Sequence, residues 1–310
     1  MPLLDRKRAI VAKIETTYGT DAAPTGAANA ILISDLDVTP IDAEMLDRDL
    51  LRTYLGASPQ IMAARSVQMT FSVELAGSGT AGTAPKYGPL LRACGMSETI
   101  TASTKVEYKP ISTAFESATI WASYDGVLHK LIGGRGTFKL TADAKSIPKL
   151  AFEMRGLFVP VVDGAVAGID YAGWTTPLAV NKANTTAFSL HGTSVPMSKF
   201  GIDIGNQVTY RNIVNSELVM ITDRQSMGNV SMEAGLMATK NWFSIAEAAT
   251  LGALSMVHGT VAGNIVEVTS SNVQIVTPKY SSEDGIMMID ADLRLVPSST
   301  GNDEITLIIR

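Results

Sequence analysis

At 310 residues the chain is long for one small domain and comfortable for two of about 150 residues each. Apolar residues make up 46% and charged residues 18%, a globular balance outside the low-hydrophobicity, high-charge range of disorder. The formal net charge is −5, so there is no basic field of the kind that holds nucleic acid by counterion release, and tight DNA binding is not expected.

In chain order, Met1–Thr20 carries Asp5 and Glu15 and lacks the apolar core of a signal peptide; no run approaches 18 apolar residues, so a soluble protein is expected. Strand patterns follow at Ile31–Val38 and Val67–Val73, separated by a charged excursion, Thr39–Arg65, in which Ala43–Tyr54 reads as a helix. Asp35, Asp37, Asp42 and Glu44 are four carboxylates in ten residues without the glycine and terminal glutamate of an EF-hand loop. On a strand, Asp35 and Asp37 share one face, an acidic stripe. Gly77–Ala84 is glycine-rich but no Gly-Lys-Ser/Thr closes it, so it reads as a loop rather than a phosphate cradle. It leads to a helix at Tyr87–Cys94 with Pro89 in its first turn, and Cys94 reads as a buried, inert thiol.

Strands are then expected at Thr119–Tyr124, Val127–Leu131, Thr137–Leu140 and Leu150–Val159, before Pro160–Ala183, whose glycines and prolines mark a connector with a short strand or two. The same vocabulary returns at Phe200–Ile204, Val208–Tyr210, Ser216–Ile221 and Val230–Glu233, then as a helix at Trp242–Leu251 with Asn241 as N-cap. Leu254–Val257, Asn264–Thr269, Val273–Val276, Ile286–Leu295 and Ile305–Ile309 complete the strands.

Written as elements, each half runs strand, long charged excursion, strand, short helix and two hairpins, and Ala118–Leu140 lies over Leu254–Val276 with the turns coinciding. A tandem duplication is the reading, with a first domain over 1–160 (including an N-terminal arm, 1–29), a connector over 161–183 and a second domain over 184–310. The excursions are too long for ordinary hairpin loops. Arg48, Leu50, Leu51, Arg52 and Tyr54 in the first, and Tyr210, Arg211 and Ile213 in the second, mix arginine, aromatic and aliphatic anchors. That mixture suits docking onto a neighbouring subunit, with packing on the parent domain as the alternative.

His129, His191 and His258 are isolated from one another in sequence, and no Gly-x-Ser-x-Gly or other catalytic spacing occurs. Neither a metal, a cofactor nor an enzymatic activity is expected.

The run Lys13-Ile14-Glu15-Thr16-Thr17-Tyr18-Gly19-Thr20, leading to Pro24-Thr25 and the strand at Ala30–Val38, resembles the opening of the tail tube (major tail) proteins of long-tailed, by expectation non-contractile, bacteriophages. The resemblance covers about residues 7–160 and continues as element order beyond. It implies a mainly β fold: two tandem β-sandwich or split-barrel domains, each with one short flanking helix and a long inter-subunit loop. It further implies stacked rings, assembled in the host cytoplasm, around an acidic channel for DNA. Asp35 and Asp37 are the candidate wall, and three two-domain chains would make a pseudo-sixfold ring. The partners it implies are copies of the chain, the tape measure protein, the tail terminator and baseplate proteins, with DNA passing unbound and no membrane. A host-surface or glycan-binding β-sandwich protein of the virion is the alternative.

Overall fold

The structure, a computed structural model, describes residues 2–310. It is mainly β, with 52% of residues in strands and 5% in helices. The elements of the first half are β1 (Arg8–Ile14), α1 (Gly26–Asn29), β2 (Ala30–Ile31), β3 (Ser34–Leu46), β4 (Ile61–Glu74) and α2 (Gly88–Ala93). After them come β5 (Met96–Thr101), β6 (Lys105–Pro110), β7 (Ala118–Tyr124), β8 (Val127–Thr141) and β9 (Lys149–Phe158). β10 (Val162–Asp163) lies in the connector. The second half has β11 (Thr185–Leu190), β12 (Thr193–Ser194), β13 (Met197–Asp203), β14 (Asn206–Ile213), β15 (Ser216–Arg224) and β16 (Met227–Glu233). It ends with α3 (Trp242–Glu247), β17 (Leu251–His258), β18 (Val266–Glu283), β19 (Ile286–Leu295) and β20 (Thr306–Ile309).

One antiparallel path organises these strands: β3–β4–β9–β8 in the first half continues directly into β13–β16–β19–β18 in the second. The two four-strand runs share order, polarity and register. Asp37, Thr70, Glu153 and Thr137 lie side by side across the first, and Asp203, Met227, Arg294 and Gln274 across the second. Behind this path, β1 and β7 cover the first half, and β11, β17, β18, β20, β6 and β5 cover the second. The C-terminal strand β20 thus pairs with β6 of the first half, a second seam between the halves. A single hydrophobic cluster spans both, including Phe71, Phe138 and Phe152 as well as Phe188 and Phe200. Their rings sit 5.4–5.9 Å apart in tilted, stacked or edge contacts.

The long strands β8 and β18, of 15 and 18 residues, serve both layers. β8 pairs with β7 at its start and with β9 and β13 at its end, bending at a bulge around Gly133-Gly134. Gly133 has φ +59°, and a Cβ on Gly134 would fall 2.6 Å from the Ala118 carbonyl, so the bend requires glycine.

Several local expectations need correction. Ala43–Tyr54 is not helical: β3 extends to Leu46, paired with β4, and 47–60 is irregular. Its apolar residues have no core to meet, with Leu51 and Leu55 fully exposed, and an unpacked helix of this length does not stand alone in water. The second-half helix ends at Glu247 rather than Leu251, because Ala249 takes φ +50° and Thr250 N–H closes on the Ile245 carbonyl. Its N-cap is as expected, Asn241 accepting from Ser244 N–H. Within the N-terminal arm, β1 buries Ile10, Val11 and Ala12 and pairs with β2 and β7. β5, β6 and β11 were not anticipated from the sequence pattern. The connector packs against the first half, Trp174 Nε1 donating to the Ala30 carbonyl.

Two histidines tie the second half's outer layer together. His258 Nε2 lies 3.1 Å from the Leu178 carbonyl and its Nδ1 3.0 Å from Thr185 Oγ1; His191 Nε2 lies 2.8 Å from the Val273 carbonyl. Burial holds both below the usual histidine value of 6.5. Each therefore stays neutral in the fold while the unfolded chain gains a proton, so their contribution is full above about pH 6.5 and is lost as pH falls toward the lowered values. The urea midpoint should be lower at pH 5 than at pH 7, and His258→Gln should shrink that difference.

Candidate assembly surface

Alternation along the eight-strand path sends Phe71, Phe152, Phe138, Ile202, Val230, Leu293 and Ile275 into the core and leaves the opposite face polar. Over its second half that open face is hollowed: a trough of about 560 Å³ crosses β8, β13, β16, β19 and β18, lined by Lys139, Asp203, Asp292 and Arg294 together with Met227 and Val276. Asp37, on the same face, shares a row with Glu153 and is exposed. Asp35 sits in a bulge with φ +56° and reaches Lys149 Nζ at 3.8 Å. Asp35 and Asp37 are thus separated by a bulge rather than related by simple alternation. The face as a whole is mixed in sign, with Lys139, Arg155, Lys199 and Arg294 interleaved among the acids.

The path has two ends. Among the described residues β3 pairs with β4 alone, and β18 beyond Gln274 pairs with β19 alone, so each end leaves a strand edge open. The internal join is β8 on β13, with Lys139, Leu140 and Thr141 opposite Asp203, Ile202 and Gly201, and Lys139 Nζ 3.0 Å from Asp203 Oδ2.

The two excursions leave the sheet at the same end of their runs but fare differently. The first prolongs the β3–β4 hairpin into solvent: Arg48 and Arg52 are exposed, Leu50 and Tyr54 are 45% and 65% exposed, and Arg52 stacks on Tyr54 at 5.6 Å. The second is the β14–β15 hairpin, a separate two-stranded sheet. It lies on the first half of its own chain. Tyr210, a candidate for contact with another subunit, faces Arg155 at 5.9 Å within the chain and donates to Glu217. Arg211 and Ile213 remain exposed toward its tip.

Residues of the N-terminal run hold that hairpin down. Glu15 is buried and its carboxylate accepts from Gly19 N–H, Gly133 N–H, Ser117 Oγ and Thr119 Oγ1, fixing the following turn against the β8 bend. The turn presents Tyr18, whose hydroxyl accepts from Val219 N–H in β15 at 2.6 Å, while Arg135 stacks on the ring at 5.0 Å and donates to the Val219 carbonyl. Burial raises the Tyr18 pKa, which keeps the phenol neutral. Asn206, at the hairpin's root, donates to the carbonyls of Cys94 and Gly136. No lone sequence signal marks Arg135 or Asn206, since both act across the fold. Cys94 is fully buried and its thiol pKa is pushed up by burial.

The chain matches the family model described as phage tail tube protein over residues 5–295 and belongs to that family. No curated protein matches it.

Replacing Asn206 with Ala strands two buried carbonyls, each worth about 1–3 kcal/mol when unpaired. The variant should unfold about 2–6 kcal/mol more easily in urea, and limited proteolysis should cut within 206–224 faster than in the unmodified protein.

Proposed function

We propose that this tail tube family member builds the tube as stacked rings, with the polar face of its eight-strand path lining a channel through which DNA passes. The observation that carries the reading is that path: one sheet, polar on one face with a trough over its second half, apolar on the other, and open at both ends. A sheet so built removes its edges by joining copies around a ring. The work is mechanical rather than catalytic.

The matching registers of the two four-strand runs support a duplicated tube domain, and hence a pseudo-sixfold ring of three chains. Size favours three as well. At about 4.8 Å per strand and a tilt near 40°, three eight-strand paths close at roughly 48 Å between backbones, or nearly 40 Å clear of side chains, enough for a DNA duplex roughly 20 Å wide. Two paths would leave only about 20 Å, a wall in contact with the phosphates.

The exposed Asp35 and Asp37 support an acidic channel, tempered by the interleaved lysines and arginines. A wall without a net basic field repels or ignores phosphates instead of holding them, so DNA slides. Copies of the chain, and tape measure, terminator and baseplate proteins at the tube's lumen and ends, are the partners this reading carries, in a virion tail assembled in the host cytoplasm.

Asp35→Lys with Asp37→Lys should leave tubes intact by negative stain while slowing DNA passage, and unchanged infectivity would count against the channel assignment. Rotational averaging of tubes should give three chains per ring; six would rule out the duplicated-domain ring.

A further inference from the structure

We propose that the β14–β15 hairpin is an internal brace: laid across the first half, it fixes the direction in which the β3–β4 excursion leaves the sheet. Arg155 is the positioning residue through which one holds the other.

Strand pairing defines the hinge of that excursion. β4 has β9 beside it from Glu74 back to Ser66, which lies opposite Leu157; from Arg65 to Ile61, among the described residues, it has β3 alone. Across from Ser66 stands Asp42, just past a bulge in β3. A two-stranded ribbon is marginal by itself in water, so the course of everything beyond Asp42 and Ser66 depends on what grips that pair. Arg155 grips it. Its Nε donates to Ser66 Oγ at 3.1 Å and its Nη2 pairs with the Asp42 carboxylate, which also accepts from Ser66 Oγ at 3.3 Å. Arg65, the next residue outward, adds a cation–π contact with Phe158 at 4.0 Å.

The hairpin in turn holds Arg155. On β8 its direct cross-strand neighbour is Arg135, and two like charges so placed repel unless each is compensated. The hairpin compensates both. It offers Arg135 the Val219 carbonyl at 2.8 Å and Arg155 the face of Tyr210 at 5.9 Å. The Tyr210 hydroxyl donates to Glu217 at 2.6 Å and lies near the backbone amide of Arg65, the first residue past the hinge. Arg135, Arg155, Ser66 and Asp42 thus form one row across β8, β9, β4 and β3 beneath the hairpin.

Coupling of this kind is reciprocal. Whatever steadies the first excursion tightens the hairpin, and with it Arg224 at the hairpin's root. Arg224 donates to the Ile111 carbonyl of the first half and pairs with the buried Glu304 that precedes the C-terminal strand. A contact made on the exposed first excursion is in that way felt at the seam between the halves.

Hydrogen exchange, read by mass spectrometry on the full-length free chain with β17 as internal reference, tests the brace. Tyr18→Phe removes the acceptor of Val219 N–H and no hydrogen bond at the hinge, and Asn206→Ala loosens the hairpin at its root. Each should speed exchange within 206–224 by about tenfold and within 39–46 and 61–66 by about threefold, the scale of one lost hydrogen bond and of part of one, with β17 unchanged. Arg155→Lys keeps the charge but not the fork that serves Ser66 and Asp42 together. In that background the same two variants should still loosen 206–224 but leave 39–46 and 61–66 at the rate of Arg155→Lys alone. A loosened hairpin with an unmoved hinge overturns the brace. So does a hairpin that neither variant loosens, or an acceleration that β17 shares. A hinge that responds equally in the Arg155→Lys background overturns the role given to Arg155. The measurement needs no tube, so none of these results touches the tube reading.

Discussion

Three residue pairs between β8 and β13 make two four-strand runs into one sheet. Without that join each run would end in an open edge next to the other, and the polar face would be two short strips rather than one. The pairing is short, so it depends on what surrounds it: the shared hydrophobic cluster beneath, and the β20–β6 pairing behind, which ties the C-terminus back to the first half. A slip of one residue in β13 would turn Phe200 and Ile202 out of the core and Lys199 and Gly201 into it, so burial on one face fixes the register of the polar face on the other. The two faces rest on the same alternation.

The Glu15–Tyr18 turn shows how a short sequence run can act at long range. A buried carboxylate with four donors shapes the turn, the turn aims Tyr18, and Tyr18 with Arg135 seats a hairpin more than 200 residues further along the chain. Each of these contacts removes freedom from the angle between the halves.

The first-half excursion is the structural opposite. Met45, Leu46, Leu50, Leu51, Tyr54, Leu55, Ile61 and Met62 are all exposed in a segment with both charge signs. Contiguous exposed apolar side chains cost solubility and mark interaction surfaces. Its counterpart, β14–β15, has found a surface on its own chain, while the first excursion has not.

By itself, the sequence determined the β-rich class, the positions of most strands, the Asn241 cap, the buried Cys94 and the parallel order of elements in the two halves. These depend on local alternation, turn residues and short-range hydrogen bonding, which a run of letters carries directly. It misjudged Ala43–Tyr54, where helical spacing of leucines was outweighed by pairing with β4, and passed over β1, β5, β6 and β11, whose strand character comes from partners distant in the chain. Only the tertiary structure decided that the halves share one sheet and one core. It also decided that a bulge separates Asp35 from Asp37, that Tyr210 is engaged by the first half of the chain, and that Arg135 and Asn206 matter. The physical reason is the same in each case: strand pairing and buried hydrogen bonds are made between residues tens to hundreds of positions apart, and no local pattern states which edges will meet.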